Sequence, residues 1–224
     1  MNKPYMICHM MTSVDGRIDC PMTEQLPGVE HYYETLAALA APTRVSGRVT
    51  AELEMAQGIF RGKSAESLGK EAFSKKADAE GYEVVTDTKG TLLWENSVSE
   101  GRPLVIVMSE TVSREYTEYL DAHHISYIVC GKDKIDLKRA CEILAEEFGV
   151  ERMAVVGGGT INGGFLAEGL LDEVSILIGS GIDGRGGMGA AFDGLPENRS
   201  VTPLRLKSAE TLSGGAVWLR YDVK

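Results

Sequence analysis

The clearest pattern of apolar and polar positions lies in residues 151–174. The apolar run at 153–156 is short enough for a buried strand, and it stops at three consecutive glycines, Gly157, Gly158 and Gly159. Thr160 then opens a segment whose apolar residues fall on one helical face: Ile161, Phe165, Leu166 and Leu170. The stretch is therefore predicted to form a strand, a glycine turn and a helix.

Similar patterns predict alternating strands and helices over most of the chain. Apolar runs of strand length occupy residues 5–11, 104–108 and 125–130, a short strand is predicted at 43–46, and an alternating pattern predicts another at 171–178. Helix-like segments occupy residues 29–41, 113–122 and 136–148, and a further one begins near Arg48. Two closing runs, at residues 204–212 and 216–223, are separated by a Ser-Gly-Gly turn and predict an antiparallel hairpin.

The order of these elements predicts an α/β fold with a mixed, mainly parallel sheet, an antiparallel C-terminal edge and helices on both faces. No repeat or linker interrupts the pattern, so residues 1–224 are interpreted as a single domain. Residues 57–103 are less periodic and are interpreted as a solvated excursion with one short helix and a hairpin-like stretch over residues 84–95. His9, inside the first apolar run, is expected to be a satisfied core residue rather than a catalyst.

Composition and charge narrow the classes of function. The formal net charge of the 224 residues is -10, which argues against nucleic acid or an anionic membrane surface as the main partner. No apolar run approaches the roughly 18 residues of a membrane span, and the opening residues lack the apolar stretch of a signal peptide. The four cysteines form no C-x-x-C pair, so reduced core thiols in a cytoplasmic protein without a metal site are expected.

A glycine turn that leads from a strand into a helix is a candidate phosphate site. The backbone can approach a ligand closely there, and the unpaired amides of the first helical turn point at it. The alternative is a tight turn with close packing of strand and helix. The dinucleotide fingerprint is absent, because the sixth residue from Gly157 is Asn162 and the third from Gly158 is Thr160. A nucleotide phosphate site of a different kind is therefore predicted.

A second junction of this kind follows the run at 43–46, where Gly47 precedes Arg48. The guanidinium could pair with a phosphate, although an isolated arginine is more often a solvated surface charge. Arg61 follows closely enough to fold back over the same ligand. Asp15, at the end of the first strand, belongs either to a simple β-turn or to a ligand contact.

Three motifs together resemble the dihydrofolate-reductase-like superfamily: SVDGR at 13–17, SGRVTAE at 46–52 and VVGGGTINGGFLAEGLLDEV at 155–174. The likeness is strongest to the riboflavin-biosynthesis pyrimidine reductases and spans nearly the whole chain. The resemblance implies the three-layer fold of that superfamily, NADPH bound at the two glycine junctions, a phosphorylated pyrimidine substrate and a homodimer.

The resemblance also implies roles for individual residues. The pyrophosphate-binding turn is matched by Gly157, Gly158, Gly159, Thr160 and Ile161, and the cofactor contacts of the first helix by Gly47, Arg48 and Thr50. Ser13 and Asp15 match the substrate-side turn, and Arg61 lies near the arginine that binds the substrate phosphate. Glu52 falls where the family has an Asp-Asp-Pro or Asn-Pro motif, but this chain has Glu52-Leu53-Glu54 and no proline there.

The reaction that the resemblance implies is hydride transfer to C1 of an open-chain ribosylamino group, which gives a ribitylamino product. Glu52 is the candidate acid or orienting group, because a carboxylate one turn into its helix could face a cleft and be buried there. Asp15 is the second catalytic candidate.

Two alternatives stay open. One is a reductase of the same fold that acts on another small carbonyl, imine or pterin-like substrate, which the missing proline motif favours. The other is a nucleotide-binding protein without turnover. The preference for NADPH over NADH rests on Arg48, Ser109 and Lys132, which could surround a 2′-phosphate, whereas Glu110 would oppose it.

Overall fold

The computed structural model describes residues 2–63 and 66–224. Its strands are Tyr5–Thr12 (β1), Thr43–Gly47 (β2), Gly58–Ile59 (β3), Ala72–Ser74 (β4), Glu83–Thr86 (β5), Leu92–Leu93 (β6), Val98–Ser99 (β7), Arg102–Met108 (β8), Ser126–Val129 (β9), Arg152–Val155 (β10), Glu173–Ile178 (β11), Leu204–Thr211 (β12) and Val217–Val223 (β13). Its α-helices are Cys20–Thr23 (α1), Tyr32–Ala38 (α2), Arg48–Glu54 (α3), Arg114–Ala122 (α4), Leu137–Glu146 (α5) and Gly159–Ala167 (α6), with short 3-10 turns at Val29–His31 and Ser213–Gly215.

The chain divides into two compact units. The first contains Met1–Pro4 and Pro42–Met153, and the second contains Tyr5–Ala41 and Ala154–Lys224. The interpretation of residues 1–224 as a single domain stays a prediction.

The core of the first unit is a sheet with the strand order β2, β5, β8, β9, β4. The first four strands are parallel, and β4 pairs antiparallel with β9. All residues of β5 and β9 and residues 104–108 of β8 are buried, as is usual for parallel strands covered on both faces. Side chains cap two of the helices: Ser113 accepts from the amide of Tyr116 at the start of α4, and Asp136 accepts from the amide of Arg139 at the start of α5.

The segment at residues 57–103 differs from its interpretation. Residues 84–95 do not form a hairpin, because β5 lies between β2 and β8 whereas β6 pairs with β3 in a separate sheet. A short apolar run followed by a polar turn suits either arrangement, and only the distant partner strands decide between them. No described residue between 57 and 103 lies in a helix, and Ser64 and Ala65 of this segment lie outside the described residues.

The second unit carries the predicted C-terminal hairpin. β1 runs parallel to β11, β13 pairs antiparallel with β11, and β12 pairs antiparallel with β13. The predicted fold class is confirmed: strands are mostly parallel, the C-terminal hairpin is antiparallel, and helices surround the sheet. His9 of β1 is fully buried, with Nδ1 at 2.9 Å from Ser175 Oγ and Nε2 at 3.3 Å from Thr35 Oγ1. Its expected role as a satisfied core residue is confirmed.

A buried carboxylate ties the strands of the second unit together. Glu173, at the start of β11, is fully buried, and its oxygens accept from Arg220 Nε and Lys207 Nζ, each at 2.6 Å. The hydroxyl of Tyr5 donates to it at 3.2 Å. Burial raises the pKa of Glu173, but the hydrogen bonds from Arg220 and Lys207 outweigh burial and hold the pKa below its ordinary value. Glu173, which belongs to the motif at 155–174, therefore stabilises the sheet.

Candidate functional site

The predicted phosphate turn lies where the chain passes from β10 into α6. Gly157 has a φ of 128°, which favours glycine, and the Gly157–Gly158 peptide bond is cis. Gly158 is the N-cap residue of α6, its carbonyl accepts from the amide of Ile161 at 3.1 Å, and no described side chain caps the helix. The amides of Gly159 and Thr160 belong to the first turn and have no intrahelical acceptor. This turn can therefore bind an anion.

Two glycines of α6 also meet a packing requirement. A Cβ on Gly159 would lie 2.3 Å from the carbonyl oxygen of Ala190, and a Cβ on Gly163 would lie 2.0 Å from that of Asp193. Side-chain carbons do not approach carbonyl oxygens this closely, so both glycines admit the backbone of a segment that follows β11. The packing alternative considered for the triple glycine thus applies to Gly159.

Asp15 belongs to a tightly hydrogen-bonded turn after β1. Ser13 Oγ donates to the carboxylate of Asp15 at 2.7 Å and accepts from the amide of Arg17 at 3.1 Å. The amides of Asp183 and Gly184 donate to the same carboxylate at 3.0 and 3.1 Å. These bonds, above all the one from Ser13, lower the pKa of Asp15 to about 2. Asp15 is therefore ionised at neutral pH, and its geometry favours binding or support over proton donation.

A pocket of about 410 Å³ opens in the first unit where β2 and β5 end. It is lined by Arg48, Ile59, Thr86, Asp87, Thr88, Lys89 and Thr91. The carboxylate of Asp87 accepts hydrogen bonds from the amides of Thr91 and Leu92, so its negative charge is stabilised within the turn. Arg48 and Lys89 supply the positive charge of the lining. The carboxyl ends of parallel strands are the usual ligand sites of α/β sheets.

Arg48 and Glu52 form an ion pair across one turn of α3. Their side chains are 41% and 39% exposed, so Glu52 lacks the burial expected of it in a cleft. Gly47 is the N-cap residue of α3, and Thr50 is half-buried within the helix. The hydroxyl of Ser46, one residue before the cap, is buried and has no hydrogen-bond partner among the described residues. A ligand hydroxyl or phosphate is a suitable partner for it.

The two remaining candidates differ in exposure. Ser109 is fully buried, its hydroxyl donates to the carbonyl of Thr88 at 3.0 Å, and it lies 2.7 Å from Thr111 Oγ1. The side chain of Ser109 therefore stabilises the chain at the end of β8. Arg61 is exposed and forms no ion pair with any residue in the ranges 2–63 and 66–224.

The sequence reasoning missed one group of pocket residues. Thr86, Thr88 and Lys89 line the pocket beside Arg48 but were interpreted as part of a hairpin turn. A polar run directly after a buried strand was the available signal. The same signal points to Asp15 after β1, and it points to these residues once β5 is placed as a parallel strand.

The cysteines and the acidic residues do not build a metal site in the described part of the chain. No group of three or more His, Cys, Asp or Glu residues there could hold a metal ion. Cys8, Cys130 and Cys141 are buried and Cys20 is exposed, so the expected core role applies to three of the four. Burial raises the pKa of Cys130 and of Cys141 to about 12. Among the described helices none has the length and apolar character of a membrane span.

Residues 4–218 match the family model described as the RibD C-terminal domain. The 2,5-diamino-6-ribosylamino-4(3H)-pyrimidinone 5′-phosphate reductase of Methanothermobacter thermautotrophicus is 32% identical over 129 residues, which are 57% of this chain and 58% of that protein. The aligned part thus covers less than two thirds of this relative.

Solved structures share the fold. A pyrimidine reductase-like protein from Corynebacterium diphtheriae superposes with a TM-score of 0.71 at 16% identity, covering 100% of this chain and 93% of that one. RibD of Acinetobacter baumannii also gives a TM-score of 0.71, at 19% identity, covering 100% of this chain and 58% of that one. At these identities the likeness establishes the fold alone.

Proposed function

This chain belongs to the RibD C-terminal domain family, and on that basis we propose that it is an NADPH-dependent reductase that converts the ribosylamino group of a pyrimidine 5′-phosphate to a ribitylamino group. The family match over residues 4–218 carries the proposal. The named activity of the archaeal relative supports it. Oxidation of NADPH in the presence of that relative's substrate, with the reduced product identified, tests it.

The family implies a nicotinamide cofactor, which when bound supplies the hydride. We assign its pyrophosphate to the turn at Gly157, Gly158, Gly159, Thr160 and Ile161. The uncapped first turn of α6 supports this assignment, because its amides point outward with the positive end of the helix dipole. Gly159 would serve both the ligand and the packing against Ala190.

The choice of NADPH over NADH is assigned to the pocket of the first unit. Arg48 and Lys89 supply two cations there, and Thr88 supplies a hydroxyl, whereas the hydroxyls of Thr86 and Thr91 donate to the carbonyl of Ser46 and to the carboxylate of Asp87. A 2′-phosphate suits this lining because guanidinium groups bind phosphates through paired hydrogen bonds. Gly47 and Thr50 are assigned to the same cofactor. Ser109 positions Thr88 in the pocket lining through the hydrogen bond to its carbonyl.

The substrate is assigned to Ser13, Asp15, Glu52 and Arg61. The exposed Arg61 suits the 5′-phosphate, and the turn of Ser13 and Asp15 presents a fixed, negatively charged surface to the polar groups of the substrate. Glu52-Leu53-Glu54 in place of the Asp-Pro motif favours, as the second candidate, a reductase of this fold with a different small carbonyl, imine or pterin-like substrate.

Glu52→Gln is expected to lower kcat by about tenfold or less, because Glu52 is exposed and paired with Arg48, whereas a general acid contributes 10²–10⁴-fold. The same change should strengthen NADPH binding a few-fold, since it removes a carboxylate that competes with phosphate for Arg48. Steady-state kinetics and NADPH titration measure both effects. Glu210→Gln, an exposed residue of β12, is the matched control. A fall in kcat of more than a hundredfold would instead identify Glu52 as the proton donor.

We further propose a homodimer, as the family resemblance implies. Apolar side chains near and on the edge strand β12 support it, since Val201 is 91% exposed and Leu206 is 57% exposed. Light scattering should give twice the chain mass of 24.2 kDa, and a single-chain mass would refute the dimer.

A further inference from the structure

One segment of the second unit contacts both the Asp15 turn and α6. Residues 181–193, here named the strap, begin against the Asp15 turn. Besides the two amides that donate to Asp15, the carbonyl of Gly181 accepts from the amide of Val14 at 2.8 Å, and the carbonyl of Met188 accepts from Arg17 Nη1 at 2.7 Å. The first part of the strap is thus bonded to the turn through both backbone and side chains.

The strap ends on the first two turns of α6. The amide of Asp193 donates to the carbonyl of Gly159 at 3.0 Å, and Asn162 Nδ2 donates to the carbonyl of Ala191 at 2.7 Å. Asn162 is fully buried. The bare backbones of Gly159 and Gly163 leave the space that the strap occupies. The end of the strap therefore has a specific seat on the helix.

Two residues of the strap contact both the Asp15 turn and α6. Ala190 forms an antiparallel bridge with Arg17, and its carbonyl oxygen lies against Gly159. The amide of Ala191 donates to the carbonyl of Gly16 at 3.3 Å, while its own carbonyl accepts from Asn162. The SVDGR and GGGTINGG motifs, which lie far apart in sequence, are joined through this dipeptide.

We propose that Ala190 and Ala191, seated by Asn162 and Gly163, are positioning residues that fix the Asp15 turn against the phosphate turn. The proposal rests on the proposed function, in which one turn serves the substrate and the other serves the cofactor. Hydride transfer needs reacting atoms about 3–3.5 Å apart, and a misplacement of about 1 Å can cost roughly a hundredfold in rate. Asn162 and Gly163 act on the rate without touching either reactant.

Gly163→Ala separates this role from simple helix packing. Alanine has a higher helix propensity than glycine at interior positions, so without the strap the change would stabilise α6. With the strap in place, the new Cβ meets the carbonyl of Asp193 and must displace it. Asn162→Ala removes the bond to Ala191 without adding volume and serves as the second variant if Gly163→Ala does not fold. Gly58→Ala is the matched control, because a Cβ there meets nothing within 4 Å.

The test combines hydrogen exchange of the ligand-free protein with NADPH titration and kinetics. Gly163→Ala and Asn162→Ala should speed amide exchange at residues 13–18 and 183–184, and lower kcat at least tenfold. The dissociation constant of NADPH should stay within about threefold, because the assigned pyrophosphate contacts end at Ile161. Gly58→Ala should change none of these quantities.

Two results would overturn the proposal. Unchanged exchange at residues 13–18 would show that the strap does not hold the Asp15 turn, and faster exchange with unchanged kcat would show that the turn need not be held. If the wild-type protein oxidises no NADPH with the pyrimidine substrate, the proposed function fails separately, and exchange alone decides whether the strap holds the turn.

Discussion

Glu173→Gln is expected to destabilise the protein by about 3 kcal/mol at neutral pH, the lower end of the range for breaking a buried ion pair. The carboxylate is fully buried, and the change leaves Arg220 and Lys207 without their shared counter-charge. The lower end applies because those two side chains are 20% and 40% exposed, so water screens them in part. For a chain of this size, the midpoint of thermal unfolding should fall by roughly 6–12 °C.

The effect of this substitution should depend on pH with a definite sign. Because the folded pKa of Glu173 lies below its ordinary value of 4.5, the carboxylate stabilises the fold above that value and loses this contribution as the pH falls through the folded pKa. The difference between wild type and Glu173→Gln should therefore shrink below about pH 4. Glu210→Gln, the same change at an exposed position of β12, should stay within about 0.5 kcal/mol of wild type. If Glu173→Gln and Glu210→Gln lowered the free energy of unfolding equally, the buried ion pairs of Glu173 would not contribute to stability.

Arg48→Gln is expected to weaken NADPH binding roughly thirtyfold, which corresponds to about 2 kcal/mol for a lost charge-assisted hydrogen bond. Binding of NADH should change less than about threefold, because NADH carries no 2′-phosphate for the guanidinium to contact. Titration of the purified variant with each cofactor measures the ratio of the two affinities. Arg48 lines the pocket beside Lys89, so Lys89→Gln should shift this ratio in the same direction.

A matched control keeps the test of Arg48 specific. Arg205→Gln removes an arginine that is 70% exposed on β12 of the other unit and paired with Asp222, and it should leave both affinities unchanged. If Arg48→Gln weakens the binding of NADPH and of NADH equally, the pocket does not recognise the 2′-phosphate. The assignment of cofactor preference to Arg48 would then be wrong.

Elements with a local signal could be predicted from the sequence. The strand at residues 5–11, the helix at 136–148 and the closing hairpin correspond to β1, α5 and the pair β12–β13. Run length, cap and turn residues lie within each of these segments. β5 could not be placed in this way, because its position between β2 and β8 depends on partners about 20 to 40 residues away.

The candidate site shows the same division. The glycine turn at 157–159 was located from its sequence, yet the packing requirement on Gly159 depends on Ala190, which no local pattern reveals. Ser109 is among the residues predicted to surround a 2′-phosphate, but its hydroxyl donates to the carbonyl of Thr88 inside the unit. Orientation and distant contacts decide these roles, and the binding roles of the other site residues stay predictions.

The loss of NADPH absorbance on addition of 2,5-diamino-6-ribosylamino-4(3H)-pyrimidinone 5′-phosphate tests the proposed reductase most directly. We expect one NADPH to be oxidised for each ribitylamino product formed, with NADH a poorer donor. Tight binding of NADPH without any oxidation would contradict a catalytic role. Oxidation only with other carbonyl, imine or pterin-like compounds would contradict the substrate while leaving the reductase in place.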